Sequence, residues 1–139
     1  MSSSAQYKSI HIGSCLCGAI RYEVNGELRE VVNCHCSLCR KIHGHYGAYT
    51  AAKREDVKIT NNNDLLVWYR SMKNSARRGF CVICGSSLFW DLDGATTISI
   101  AAGTLDQPTG LRTAKDIYIA EKGDYYCLDP QLEKFERGL

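Results

Sequence analysis

Between residues 19 and 24 apolar and polar positions alternate. Ile20, Tyr22 and Val24 fall on one side and Arg21 and Glu23 on the other, the period-two signature of a half-buried strand. Further strand-like runs occupy residues 31–36, 45–51, 57–60, 65–70, 86–91, 96–101 and 117–120. Turn signals separate them: Asn25-Gly26, the polar stretch 61–64, Asp93-Gly94 and Pro108-Thr109-Gly110. No 3.6-residue periodicity is sustained, and only short helical turns are expected, over Ser37 to His43 and near Leu132–Glu136. Many short strands without long helices predict an all-β domain of antiparallel sheets. No linker, repeat or low-complexity tract interrupts the chain after its first few residues. Residues 10–139 therefore read as one domain behind a flexible stretch, 1–9.

The 139 residues suffice for one modest core, and 45% hydrophobic with 23% charged residues excludes wholesale disorder and a coiled coil. No run approaches the roughly 20 apolar residues of a membrane-spanning helix. The opening MSSSAQYKSIHIGSC lacks the apolar centre of a secretion signal, so the cytoplasm is the expected compartment, with the nucleus also open.

The picture changes with the cysteines, of which there are eight. Seven are grouped: Cys15 and Cys17 as C-x-C, Cys34, Cys36 and Cys39 as C-x-C-x-x-C, and Cys81 and Cys84 as C-x-x-C. A tetrahedral zinc with sulfur ligands at about 2.3 Å spaces those sulfurs roughly 3.8 Å apart, which demands tight grouping. Four disulfides would suit a small exported protein better, and a redox dithiol at 81–84 would leave the other groups unexplained. Cys17-Gly18 and Cys84-Gly85 each follow a pair with glycine, a residue free to take the positive φ that curls the backbone toward the sulfurs. Metal binding is the expected use.

Seven grouped ligands do not divide into two closed tetrahedra. Four fill one structural site, and three leave a second with an open position, the usual arrangement of a catalytic zinc. The alternative is that Cys127 completes the second site and both are structural. Spacing alone does not say which groups combine.

The segments GSCLCGAIRYEV, NCHCSLCRKIHG, RGFCVICGSSLFW and AAGTLD, in that order, resemble the family of glutathione-dependent formaldehyde-activating enzymes, which includes the domain of centromere protein V. The resemblance runs from about residue 10 to the C-terminus. It implies an all-β fold like that of Rab-interacting zinc chaperones, built around two zinc ions per chain. A structural zinc would sit on Cys15, Cys17, Cys81 and Cys84, and a catalytic one on Cys34, Cys36 and Cys39. It also implies a carbon–sulfur lyase activity, joining formaldehyde to glutathione as S-hydroxymethylglutathione. Where many members carry a histidine in the C-terminal strand, this chain has Asp116-Ile117-Tyr118, a departure that bears on the substrate more than on the fold.

The chemistry agrees with that implication. A zinc held by three thiolates has a net charge of −1 and activates water poorly, but suits a fourth sulfur poised to attack an electrophile such as a small aldehyde. Glutathione is anionic, so Arg40, Lys41 and His43, directly after the second group, are the candidate binding residues, with His45, Arg77 and Arg78 as further candidates. His35 lies between two ligands, and alternation points it away from the metal. Tyr46, Tyr49, Trp68 and Trp90 are expected in the core or a pocket wall, with Tyr46 the best placed as a donor. The formal charge of +2 falls to about −1 once both zinc sites are counted, and no basic run exceeds two residues, so nucleic acid is not an expected partner. A non-catalytic protein- or glutathione-binding module is the rival reading, and neither gives an oligomeric state.

Overall fold

The alternation at the start of the chain has the expected result. In strand β2 (Ile20–Asn25), Ile20, Tyr22 and Val24 are fully buried and the residues between them are exposed. The computed structural model describes residues 10–71 and 75–139, so the expected flexible stretch 1–9 lies outside the described residues. Strands β1 (Ile10–Ser14) and β5 (Val57–Asn61) flank β2 in an antiparallel three-stranded sheet.

A second sheet of eight strands is built from β3 (Val31–Cys34), β4 (Gly47–Lys53), β6 (Leu66–Arg70), β7 (Ala76–Cys81), β8 (Ser87–Leu92), β9 (Thr97–Ala101), β10 (Thr113–Ile117) and β11 (Glu133–Lys134). Their spatial order is β11-β10-β3-β4-β9-β8-β7-β6. Pairing is antiparallel except at one edge, where β10 runs parallel to β3 and to β11. The all-β expectation therefore holds.

Between the two sheets lies the core. Ile20, Tyr22 and Val24 meet Ala52, Leu88, Phe89, Ile98, Ile100 and Leu105, together with the thiols of Cys15 and Cys81. Each fully buried large apolar side chain contributes roughly 1.5–3 kcal/mol. Tyr22 packs edge-on to Phe89 with ring centroids 5.4 Å apart, and its hydroxyl meets Thr104 Oγ1 at 2.7 Å. Gly13 of β1 lies opposite Tyr22, and a methyl group there would overlap the Tyr22 hydroxyl and the Thr104 carbonyl oxygen. Gly13→Ala is expected to cost about 1–3 kcal/mol by overpacking, read as a lower urea midpoint; an unchanged midpoint contradicts this packing.

The sole α-helix among the described residues, α1 (Ser37–His43), falls where the short helical turn is expected. Cys36 caps it with extended backbone, its sulfur accepting from Cys39 N–H at 3.3 Å, and Gly44 closes it in the left-handed region. Two expectations are corrected. The strand expected at 117–120 is β10, which stops at Ile117, because its partner β3 ends at Cys34 where the chain turns toward α1; residues Ile119–Glu121 form a 3-10 turn instead. The helical turn expected near Leu132–Glu136 is absent: Glu133 and Lys134 add to β10 as an edge strand.

Candidate metal centres

Two chain reversals build the first cluster. Cys15 and Cys17 sit in the turn from β1 to β2, where Gly18 takes φ 80° and its N–H donates to Cys15 O at 3.2 Å. Cys81 ends β7, and Gly85 at φ 78° donates its N–H to Cys81 O at 2.8 Å. The two glycines thus have the positive φ that the sequence calls for. Cys15 Sγ and Cys17 Sγ are 3.6 Å apart, Cys17 Sγ and Cys81 Sγ 3.7 Å, and all four sulfurs lie within 4.8 Å of one another. These spacings fit the roughly 3.8 Å edge of a zinc–sulfur tetrahedron. Supporting bonds orient the sulfurs: Ile20 N–H points to Cys15 Sγ at 3.4 Å, and Ser86 Oγ joins Leu16 N–H at 2.9 Å and Cys84 Sγ at 3.2 Å.

A second cluster forms where β3 hands over to α1. Cys34 ends the strand, Cys36 caps the helix and Cys39 lies in its first turn, with the three sulfurs again within 4.8 Å. Cys127 is exposed and belongs to neither group, so it does not supply a fourth donor. Each cluster could hold a metal ion. Without one, the three sulfurs here are so close that they share protons. Hydrogen bonds from Cys34 and Cys39 pull Cys36 down to about 2, while the same contacts, with burial, push the Cys34 thiol far up. Ionising all three requires a cation, and the donor set of soft sulfurs fits zinc.

The candidates around this cluster separate. Arg40 donates from Nε to Glu121 O at 3.2 Å, and Glu121 Oε1 accepts from Ser37 N–H at 2.9 Å, so the 3-10 turn clamps the start of α1. Lys41 is exposed. His43 Nε2 meets the Tyr49 hydroxyl at 2.7 Å; burial and the nearby Arg78 hold its pKa below the ordinary value, so it serves as a neutral ring rather than a cation. His45 Nδ1 meets the Tyr125 hydroxyl at 2.6 Å. Arg77 turns to the opposite face of β7, bonding Asp91 at 2.9 Å and lying 3.8 Å over the Trp68 ring. Arg78 turns the other way, with Nη2 3.8 Å from Cys39 Sγ.

His35 points away from the cysteines, as alternation implies. It is buried, its Nε2–H donating to Asp116 Oδ1 at 2.7 Å while Nδ1 meets the Tyr126 hydroxyl at 2.6 Å. The aspartate of the departing strand position is thus the partner of the residue between two ligands. Tyr46 belongs to this rear cluster, 4.9 Å from the His35 ring, and Trp68 packs on Phe89 in the core. Trp90 is half-buried and pairs with Arg78 in the sheet register. Tyr49, expected in the core or a pocket wall, is the tyrosine near the three-sulfur site, close enough for Cys39 and Cys34 to act on its hydroxyl. Its signal was position: Tyr49 lies on β4 opposite Val32 of β3, two residues from Cys34.

The family model described as glutathione-dependent formaldehyde-activating enzyme matches residues 10–121. The chain belongs to this family. The matched span of the formaldehyde-activating family contains all seven clustered cysteines and stops short of Cys127. A Halomonas elongata protein named "Putative glutathione-dependent formaldehyde-activating enzyme" is 32% identical over 87 residues; that match covers 58% of this chain and 55% of the relative, so it spans about half of the relative's length. The crystal structure of a Rhodobacter sphaeroides protein superposes with a TM-score of 0.60 at 19% identity, covering 89% of this chain and 98% of that one, a likeness of fold. Among the described residues no helix is long and apolar enough to cross a membrane.

Proposed function

We propose that the chain is a zinc-dependent carbon–sulfur lyase that joins a small aldehyde such as formaldehyde to a thiol such as glutathione, and that the reaction runs in both directions. The observation that carries this reading is the inequality of the two clusters: four sulfurs converge in one and only three in the other, with Cys127 in neither. On this reading Cys15, Cys17, Cys81 and Cys84 hold a structural zinc, and Cys34, Cys36 and Cys39 hold a catalytic one. Bound at the second cluster, zinc supplies a soft centre with a position for one more sulfur.

The chain's own groups do the rest. Lys41, and Arg40 beyond its bond to Glu121, offer positive charge to the carboxylates of glutathione on the exposed side of α1. His43, a neutral ring whose pKa is held low, can pass the proton of the binding thiol on to solvent rather than keep it. Burial raises the Tyr49 pKa, so its hydroxyl stays protonated and can donate to the carbonyl oxygen. Sulfur bonds to the carbonyl carbon, the carbonyl oxygen gains the proton, and nothing is oxidised or reduced. Thiols grouped for metal binding suit a reducing compartment such as the cytoplasm.

Calorimetric titration of glutathione into zinc-loaded protein tests this. Saturable heat with one site per chain is expected, together with faster hydroxymethyl adduct formation. Binding without a rate effect would leave a glutathione carrier. No heat, with the second zinc fully ligated by protein, would leave a protein-binding module.

A further inference from the structure

On β7 the adjacent arginines have opposite fates. Arg77 has a carboxylate, Asp91, at 2.9 Å. Arg78 is 8% exposed, and among the described residues it forms no ion pair with any carboxylate. Its Nη2 faces Cys39 Sγ at 3.8 Å, and among the described residues its buried Nη1 has no hydrogen-bond partner. A guanidinium removed from water needs a compensating anion, because an unpaired buried charge is strongly unfavourable. The anions that the fold brings to Arg78 are the cysteine sulfurs.

We propose that Arg78 is the charge partner of the Cys34–Cys36–Cys39 cluster and makes that site selective for an anionic sulfur guest, an inference that rests on the thiol-plus-aldehyde function proposed above. Three thiolates and a dication sum to −1, and Arg78 brings the surroundings to neutrality. A thiolate guest then leaves the site at −1, where without Arg78 it would reach −2. A neutral guest gains nothing from the arginine. Arg78 thus favours a thiol that sheds its proton to solvent on binding. Its rigid fork also suits the place, since one arm engages Cys39 while the other remains to be satisfied. Arg78 acts through the sulfurs, as a positioning and specificity residue.

The test uses the full chain loaded with two zinc ions, as wild type, Arg78→Lys and Arg78→Met. Challenge with a coloured chelator should strip the second zinc from Arg78→Met about 10–100-fold more readily than from wild type, the usual effect of losing a group that supports metal ligands. Arg78→Lys should recover most of the difference. Calorimetry in two buffers of different ionisation enthalpy should show wild type releasing one proton per glutathione bound, with affinity lower by about tenfold or more in Arg78→Met. Equal zinc retention and equal glutathione affinity in a folded Arg78→Met overturn the proposal. Should that variant fail to fold, Arg78→Gln is set against Arg78→Lys, and Gln retaining zinc as firmly as Lys overturns it equally. If wild type binds no glutathione, the proposed function fails, while the chelator series still decides the charge role of Arg78.

Discussion

Replacing Cys81 by serine is expected to unfold most of the domain. Its sulfur is fully buried within the core cluster, and with Cys84 it faces Cys15 and Cys17 across about 65 residues of chain. A metal cross-link closing a loop of that length removes roughly 4 kcal/mol of unfolded-state freedom by the chain-entropy argument. A domain of this size has only about 5–15 kcal/mol in total. Serine also places a hydroxyl among Ile20, Leu88 and Phe89, adding the cost of a buried polar group without a good partner. Cys84→Ser should be milder because its sulfur lies nearer the surface, but it breaks the same cross-link. Far-ultraviolet circular dichroism against temperature reads the outcome, and a wild-type melting temperature in Cys81→Ser would contradict the structural role of this cluster.

The fold was most legible where one face of a strand is buried and the other wet. β2 shows this in full, because Ile20, Tyr22 and Val24 have a core to enter and Arg21 and Glu23 do not. β1 and β7 escaped the same logic for physical reasons. In β1 two apolar residues, Ile10 and Ile12, lie on the exposed side, and the buried position is a glycine cut to fit Tyr22. In β7 a buried arginine, Arg78, occupies a position where alternation expects an apolar side chain. The short edge strand β11 is set by its pairing with β10, a long-range event with no local signature.

At the site, spacing revealed the three cysteine groups but not their combination. C-x-C and C-x-x-C patterns report local turns, and which turns meet depends on how β1 and β7 are placed by the two sheets. Charge was less legible still. Arg77 and Arg78 are identical and adjacent, yet one pairs with the buried Asp91 and stacks on Trp68 while the other faces Cys39. Asp116 was readable only as a departure from the family pattern. In the fold it fixes His35, and through it the backbone that carries Cys34 and Cys36.

Cys34→Ser should have the opposite signature to Cys81→Ser: one zinc and nearly all activity lost, with the fold retained. The difference follows from loop length and support. A metal bridging residues 34 and 39 closes a loop of only about six residues, worth roughly 2 kcal/mol on the same entropy scale. Other bonds already hold this segment. Glu121 clamps Ser37 N–H and Arg40 Nε, Asp116 and Tyr126 grip His35, and His35 N–H donates to Ile117 O at 3.0 Å. Cys34 is also only partly buried and outside the core cluster, so serine there leaves that core intact. Metal analysis should find about one zinc per chain, and hydroxymethylglutathione formation should fall by more than the ten- to hundredfold typical of a supporting residue. Two zinc ions per chain in a folded Cys34→Ser would mean that another donor completes the second cluster. The claim of an open coordination position, and with it the thiol chemistry, would then fail.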